Sequence, residues 1–427
     1  MKKFDSALVF LLICLAVYAA FFLFFNHFSL LGMPLVNLLS GFILLFTILG
    51  VTYNNLWTIN SFKKRPFIST AVTVLTLVIL IVFSKISIQA FQIFKHLAVR
   101  EGKHWDGNVF QSDPVLGHIP VKCASGSLEL EYNHTLLHHI PMKYDENGFR
   151  IGADTSCERQ LKRPLVLFLG CSFTEGADCA AEKTFSAIVG DSLHGSSLNA
   201  GVSSYGFSQM LLLARALIPK FKPDYVVVQN SPWLSERAVS RYAPTFGLAI
   251  PSPYFASVHD SLQIEPPVFP TDCFSLTWKY DHSKSGLRNF LSFYFKEGFR
   301  VCARDWKETL TAALKTPRPI KNQEAVQKAF FSEIVQLSEQ NNNKLIVVNL
   351  GDIRTTGNSR KLVSDKNVRF AEADSLLWDN AGFKEKKYEQ LYYHRAWTGT
   401  DSVIVDMHPT VAAHAIIANS ILKTINF

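Results

Sequence analysis

The sequence predicts an α/β protein in which three N-terminal transmembrane helices precede a three-layer α/β/α domain with a mainly parallel sheet. Two observations carry that expectation. Apolar residues crowd into roughly the first 95 positions, in long uncharged runs, and beyond about residue 164 short apolar runs alternate with helix-like stretches. The 427-residue chain has room for more than one domain, and its hydrophobic fraction of 48% averages two unlike parts.

The three runs, Ser6–Phe25, Leu30–Thr52 and Ile68–Ser84, hold no charged residue. Each approaches the ~20 residues that carry a helix across a hydrocarbon core, the third being the shortest. Three buried core helices with almost no polar face are a poor alternative. A cleaved leader fits poorly too, because the first run is long and no small-residue cleavage site follows Phe25. Lys2 and Lys3 precede the first run, and Lys63, Lys64 and Arg65 lie between the second and third. The positive-inside rule puts both clusters in the cytoplasm. The chain is then expected to be a multi-pass protein of the inner (cytoplasmic) membrane. The lipid bilayer is its first partner, and everything after about residue 95 is extracytoplasmic. The domains expected are an anchor at about 1–95, a small β-rich prelude or connector at 96–160, and the α/β domain at 161–427.

A net charge of +8 raises the question of nucleic acid, but no basic stripe with interleaved aromatics is present, so no nucleic-acid partner is expected. Of seven cysteines, Cys14 falls in the first apolar run. The other six (Cys123, Cys157, Cys171, Cys179, Cys273 and Cys302) permit disulfides in an oxidising compartment, with no pairing assigned. Their spacing does not match a zinc site, and neither a metal nor a cofactor is expected.

Within 96–160, Ser127–Tyr132 alternates like a strand and Asp145-Glu-Asn-Gly148 signals a turn. Leu165–Leu169, Tyr225–Val228 and Leu345–Val348 are continuous apolar runs, as strands buried on both faces require. Thr184–His194, Phe207–Lys220, Asn322–Asn341 and Thr410–Thr424 read as helices. Such alternation argues for a parallel sheet with reactive groups at the carboxyl ends of its strands. The Pro-, Ser- and aromatic-rich stretch at about 237–318 reads as an insertion.

Ser172 follows the first buried strand, in Gly170-Cys-Ser-Phe-Thr-Glu-Gly176. That position offers either a nucleophile at a strand-to-helix turn or the cap of an S-x-x-E capping box. Asp406-Met-His408-Pro409 stands before the last helix. A serine hydroxyl needs a base, and the base needs an orienting carboxylate; Asp-x-His supplies both from one loop.

These segments resemble the SGNH (GDSL-type) hydrolases. Gly170–Gly176 looks like the family's Gly-Asp-Ser-x-x-x-Gly, with Cys171 in place of the aspartate. Gly201, in Asn199-Ala-Gly-Val-Ser-Ser-Tyr-Gly206, looks like the glycine of the second block, and Asp406–Pro409 looks like Asp-x-His-Pro. The order and spacing agree over about 164–427. The third block departs: in Gln229-Asn-Ser-Pro-Trp-Leu234 the family's oxyanion-holding asparagine falls near Trp233, while Asn230 lies three residues earlier.

The resemblance implies a catalytic triad of Ser172, His408 and Asp406. Gly201, Asn230 and Trp233 would serve the oxyanion or the substrate. It further implies an extracytoplasmic esterase or O-acyltransferase, acting on acyl, most often acetyl, esters of envelope glycan or lipid. The other expectation is a non-catalytic assembly or glycan-binding protein that keeps the fold. His138 and His139, being adjacent, project in opposite directions, and no sequence spacing supplies them a carboxylate. Cys171 reads as a small buried hydrophobe, and Asp352 as a turn residue.

Overall fold

The computed structural model describes residues 102–133, 135–245, 248–258, 261–271, 294–351, 368–397 and 401–426, with isolated positions at 82, 86, 87, 90, 274, 292 and 399. Apart from Val82, the three apolar runs lie outside the described residues, as do Cys14, Cys273 and Asp352. Among the described residues no helix is long and apolar enough to cross a membrane. The chain divides into two compact units, Met1–Ser84 and Lys85–Phe427, and the fold described below belongs to the second.

The second unit opens with a small antiparallel sheet. Strand β1 (Gly102–Asp106) is followed by a hairpin of β2 (Phe110–Asp113) and β3 (Gly117–Pro120), then β4 (Ser125–Tyr132), β5 (Thr135–Tyr144) and β6 (Arg150–Ile151). The four-stranded order is β1-β4-β5-β6. Its inner face sends Leu128, Met142 and Tyr144 into a core shared with Phe110, Val202 and Tyr205. Cys123 and Cys157 are joined by a disulfide that closes a loop around β4, β5 and β6. Cys171, Cys179 and Cys302 are buried.

The main sheet is parallel and runs β15-β14-β9-β7-β8. β7 (Leu165–Leu169) lies between β8 (Ser196–Asn199), at one edge, and β9 (Tyr225–Asn230), the central strand. After two hairpins, β10 (Tyr242–Thr245) with β11 (Leu248–Pro251) and β12 (Tyr254–Val258) with β13 (Ser261–Glu265), the sheet is completed by β14 (Lys344–Asn349) and β15 (Val368–Ala371). Side chains alternate across the pleat, so each central strand feeds two cores. Leu167, Leu169, Val226, Val228, Leu345 and Val347 face one way. Val166, Phe168, Val227, Ile346 and Val348 face the other.

Nine helices cover these faces or flank them among the described residues: α1 (Ser172–Glu175), α2 (Phe185–Ser192), α3 (Phe207–Phe221), α4 (Pro232–Ala238), α5 (Phe299–Lys315), α6 (Gln323–Gln340), α7 (Ala373–Asn380), α8 (Glu385–Tyr392) and α9 (Val411–Asn426). The first core takes Met210 and Ala214 of α3, Leu234 of α4 and Phe330 and Ile334 of α6. The second takes Val189 of α2, Leu377 of α7 and Ile417 and Ile421 of α9. The architecture is therefore three-layer α/β/α around a parallel sheet. Asp406 ends β17 (Ser402–Asp406), which among the described residues pairs with β16 (His394–Trp397) in a two-stranded ribbon separate from the main sheet.

Residues 96–160 were open between connector and packed prelude, and the small sheet is packed. Arg150 of β6 is buried. It donates to the carbonyls of Glu175 and Cys179, each at 2.6 Å, and to that of Gly176. These carbonyls lie at and beyond the end of α1, where helices leave acceptors unpaired. Arg150→Met removes the donors and strands buried carbonyls. A loss of about 3–5 kcal/mol is expected, measured by urea denaturation of the folded variant against wild type; a loss under about 1 kcal/mol would contradict this role for Arg150.

Candidate active site

Ser172 sits where β7 ends and α1 begins. Gly170 has no room for a side chain: a Cβ there would lie 1.9 Å from Thr174 Oγ1 and 2.6 Å from Gln229 Oε1. Gln229 of β9 ties the turn down, accepting from the Cys171 amide at 3.1 Å and from Thr174 Oγ1 at 2.8 Å. Its own amide donates to Ser231 Oγ at 2.8 Å and lies 3.2 Å from Cys171 Sγ. Gly176 closes the turn in the left-handed region, at φ 75°.

The N-cap of α1 is Cys171, with no side-chain capping bond, so Ser172 is the first helical residue. Its hydroxyl is not used as a cap. The capping-box alternative fails for Glu175 as well, since its buried carboxylate accepts from Tyr144 at 2.7 Å and Ser203 at 2.5 Å.

Ser172 Oγ instead lies 2.8 Å from His408 Nε2. His408 Nδ1 lies 2.6 Å from Asp406 Oδ1, which also accepts the His408 backbone amide at 2.9 Å. The two-residue spacing lets one carboxylate oxygen fix both the loop and the ring. With Nδ1–H held by Asp406, Nε2 is the bare nitrogen, and the serine hydroxyl donates to it. Phe173 packs edge-on against His408 at 5.4 Å and against Trp233 at 5.0 Å. The structure thus brings Ser172, His408 and Asp406 together, and Trp233 stands behind them, its Nε1 3.5 Å from Cys171 Sγ.

Gly201 and Asn230 are engaged in hydrogen bonds of their own. The Gly201 amide donates to Asn199 Oδ1 at 3.1 Å. A Cβ at Gly201 would meet the Glu175 amide nitrogen at 2.4 Å, so this glycine permits close packing against α1. Asn230 is buried, donating to Asn349 Oδ1 at 2.9 Å and accepting from Gln327 at 3.1 Å. Both residues are held by structural hydrogen bonds.

Two residues absent from the sequence-level candidates complete the charge distribution. Lys103 of β1 reaches from the small sheet, with its ammonium 2.6 Å from Asp178 Oδ2, 3.0 Å from His408 Nδ1 and in contact with Asp406 Oδ2. Asp178, Asp406 and His408 offer metal-type ligand atoms within 4.8 Å of one another. Lys103 supplies the positive charge among them. Burial and the hydrogen bond with Asp406 push Asp178 up to about 8. Burial also works against the charge of Asp406, but hydrogen bonds from His408 and Asp178 outweigh it and hold that carboxyl far below its ordinary value. His408 is lowered from 6.5, first by burial and then by the Lys103 charge. Nearby, His394 is buried with its ring 4.9 Å from His138 and is pushed down to about 4. Sequence order gave no signal for Lys103, which lies 305 residues from His408.

No family model matches the chain, and no curated protein matches it. Solved structures that it is similar to include TesA (9% identity, TM-score 0.32), over 61% of this chain and 97% of that one. Another is a variant of Axe2, an acetyl xylan esterase from Geobacillus stearothermophilus (14%, TM-score 0.33, 62% and 96%). A third is a putative lipolytic protein of the G-D-S-L family from Desulfitobacterium hafniense (11%, TM-score 0.32, 61% and 99%). At such identities and TM-scores the likeness assigns no family, and the chemistry rests on this chain's own residues.

The Lys103 charge opposes protonation of His408. In an NMR titration of the imidazole resonances, His408 is expected to titrate below 6.5, and Lys103→Met is expected to move it upward. An unchanged titration in the folded variant would remove Lys103 from the electrostatics of this site.

Proposed function

We propose that this protein is a membrane-anchored serine esterase or O-acyltransferase that works outside the cytoplasm on acyl esters of envelope glycan or lipid. The carrying observation is the continuous path from Ser172 Oγ to His408 Nε2 at 2.8 Å and from His408 Nδ1 to Asp406 at 2.6 Å. His408 takes the serine proton as Oγ attacks the ester carbonyl. It then returns that proton to the leaving alkoxide, and an acyl-Ser172 ester remains. Water resolves that ester in a hydrolase and a sugar hydroxyl resolves it in a transferase. Asp406, held ionised by its neighbours, stabilises the imidazolium formed between the two transfers.

Oxyanion stabilisation falls to the amides at the start of α1, where helices leave N–H groups without an intrahelical acceptor. Gly201 and Asn230 are engaged with Asn199 and Asn349. Loss of one such donor lowers a rate by about 10²–10³-fold. That arrangement favours a slow enzyme, and it is the one observation behind the second reading, a glycan-binding or assembly protein that has kept the fold. Trp397 and Met407 are 72% and 62% exposed on the ribbon and loop that present His408. They offer an apolar surface to an acyl chain or a sugar face. Support for an oxidising location comes from the Cys123–Cys157 disulfide, and support for anchoring from the three apolar runs.

The purified full-length chain is expected to hydrolyse p-nitrophenyl acetate, with Ser172→Ala or His408→Ala lowering the rate by about 10⁴–10⁶-fold. A fluorophosphonate probe is expected to label Ser172, located by peptide mass spectrometry. Labelling without ester hydrolysis selects the transferase. Folded protein that neither hydrolyses nor labels selects the binding protein.

A further inference from the structure

The outer face of the small sheet carries a second group of ligand-type side chains. His104 of β1 is directly opposite Glu129 of β4, and Glu129 is directly opposite His139 of β5. Opposed residues of antiparallel strands project to one face with Cβ atoms about 5 Å apart, and Glu131, two positions along β4, joins them. The inner face, by contrast, carries Leu128, Met142 and Tyr144. His104 Nε2 lies 3.0 Å from Glu129 Oε2 and 3.8 Å from Glu131 Oε1. His139 Nδ1 lies 3.1 Å from the other Glu129 oxygen. One ligand atom each from His104, Glu129 and Glu131 falls within 4.8 Å of the others. His104 and Glu129 are only 5% and 8% exposed.

We propose that His104, Glu129 and Glu131 form a binding site for a divalent transition metal of the Zn²⁺ class. Two carboxylates converging on one buried imidazole make an anionic pocket that a cation neutralises. Zn²⁺ ligands at about 2.0–2.2 Å in a tetrahedron stand roughly 3.4 Å from one another, which the separations of 3.0 and 3.8 Å bracket. An imidazole with two carboxylates suits Zn²⁺ better than Mg²⁺ or Ca²⁺, which take six or more oxygens. The fourth position is left to water, and His139 orients Glu129 through its second oxygen. His104 Nδ1 has no hydrogen-bond partner among the described residues. Metal-binding histidines usually anchor that second nitrogen, and its loss weakens a site by about 10–100-fold, so moderate affinity is expected. His104 follows Lys103 in β1, with the two side chains on opposite faces. Metal on the outer face fixes β1 to β4 and thereby holds the Lys103 ammonium at Asp406.

The test is calorimetric titration of the full-length, chelator-stripped, tag-free chain with ZnCl₂, and in parallel with MgCl₂ and CaCl₂. Thermal denaturation supplies the second readout. One Zn²⁺ per chain is expected, with an unfolding temperature several degrees higher at saturation and little response to Mg²⁺ or Ca²⁺. Glu129→Gln is expected to abolish binding. His139→Ala, at a side chain 55% exposed and so tolerant of change, is expected to weaken it about tenfold. Asp178→Asn, in the other cluster, is expected to leave it unchanged. Absence of Zn²⁺ binding by folded wild type, or equal affinity in Glu129→Gln, would overturn the proposal.

Discussion

Burial of opposite charges at the turn after β7 organises the structure. Glu175 and Arg150 both lie inside the protein, where an unpaired charge costs several kcal/mol. Glu175 is held by Tyr144 and Ser203, and Arg150 by three carbonyls at the end of α1. Tyr144 and Arg150 belong to the small sheet, Ser203 to the loop after β8, and Glu175 to the helix that begins with Ser172. None can leave without stranding another. The small sheet is therefore part of the wall of the site, and Lys103 reaches Asp406 because β1 is carried in with it.

Much of the frame was legible in the sequence because its physical cause is local. Leu165–Leu169 is apolar throughout because both of its faces are covered, and the observed strand has those same bounds. The helices read from period fall within a few residues of α2, α3, α6 and α9. The family resemblance grouped Ser172, His408 and Asp406, and their side chains lie in one hydrogen-bonded line. The alternation within the small sheet likewise separates His138 from His139, one ring meeting His394 and the other Glu129.

What escaped the sequence is long-range or lacks a pattern. Lys103 and Asp178 look like ordinary surface residues until β1 is placed beside the loop after α1. Glu129 could not be matched to His139 by counting, since the pairing is set by strand register across β4 and β5. The roles expected of Gly201 and Asn230 came from the family resemblance, which says nothing of their local hydrogen-bond partners. The hydrogen bonds to Asn199 and Asn349 satisfy buried polar groups first, as burial demands. The pairing of β17 with β16 in a ribbon of their own escaped as well, because nothing local says which partner a strand will choose.

The base and its carboxylate ride on a ribbon outside the main sheet, 236 residues downstream of the serine. During synthesis the central strands and the nucleophile turn emerge well before that ribbon exists. Domains assemble as their chain appears, amino-terminal parts first. A growing chain consequently carries a serine hydroxyl with no proton acceptor, as inert as any surface serine. On the proposed reading, reactivity is conferred only when the last loop docks, so an unfinished or clipped chain is born without chemistry.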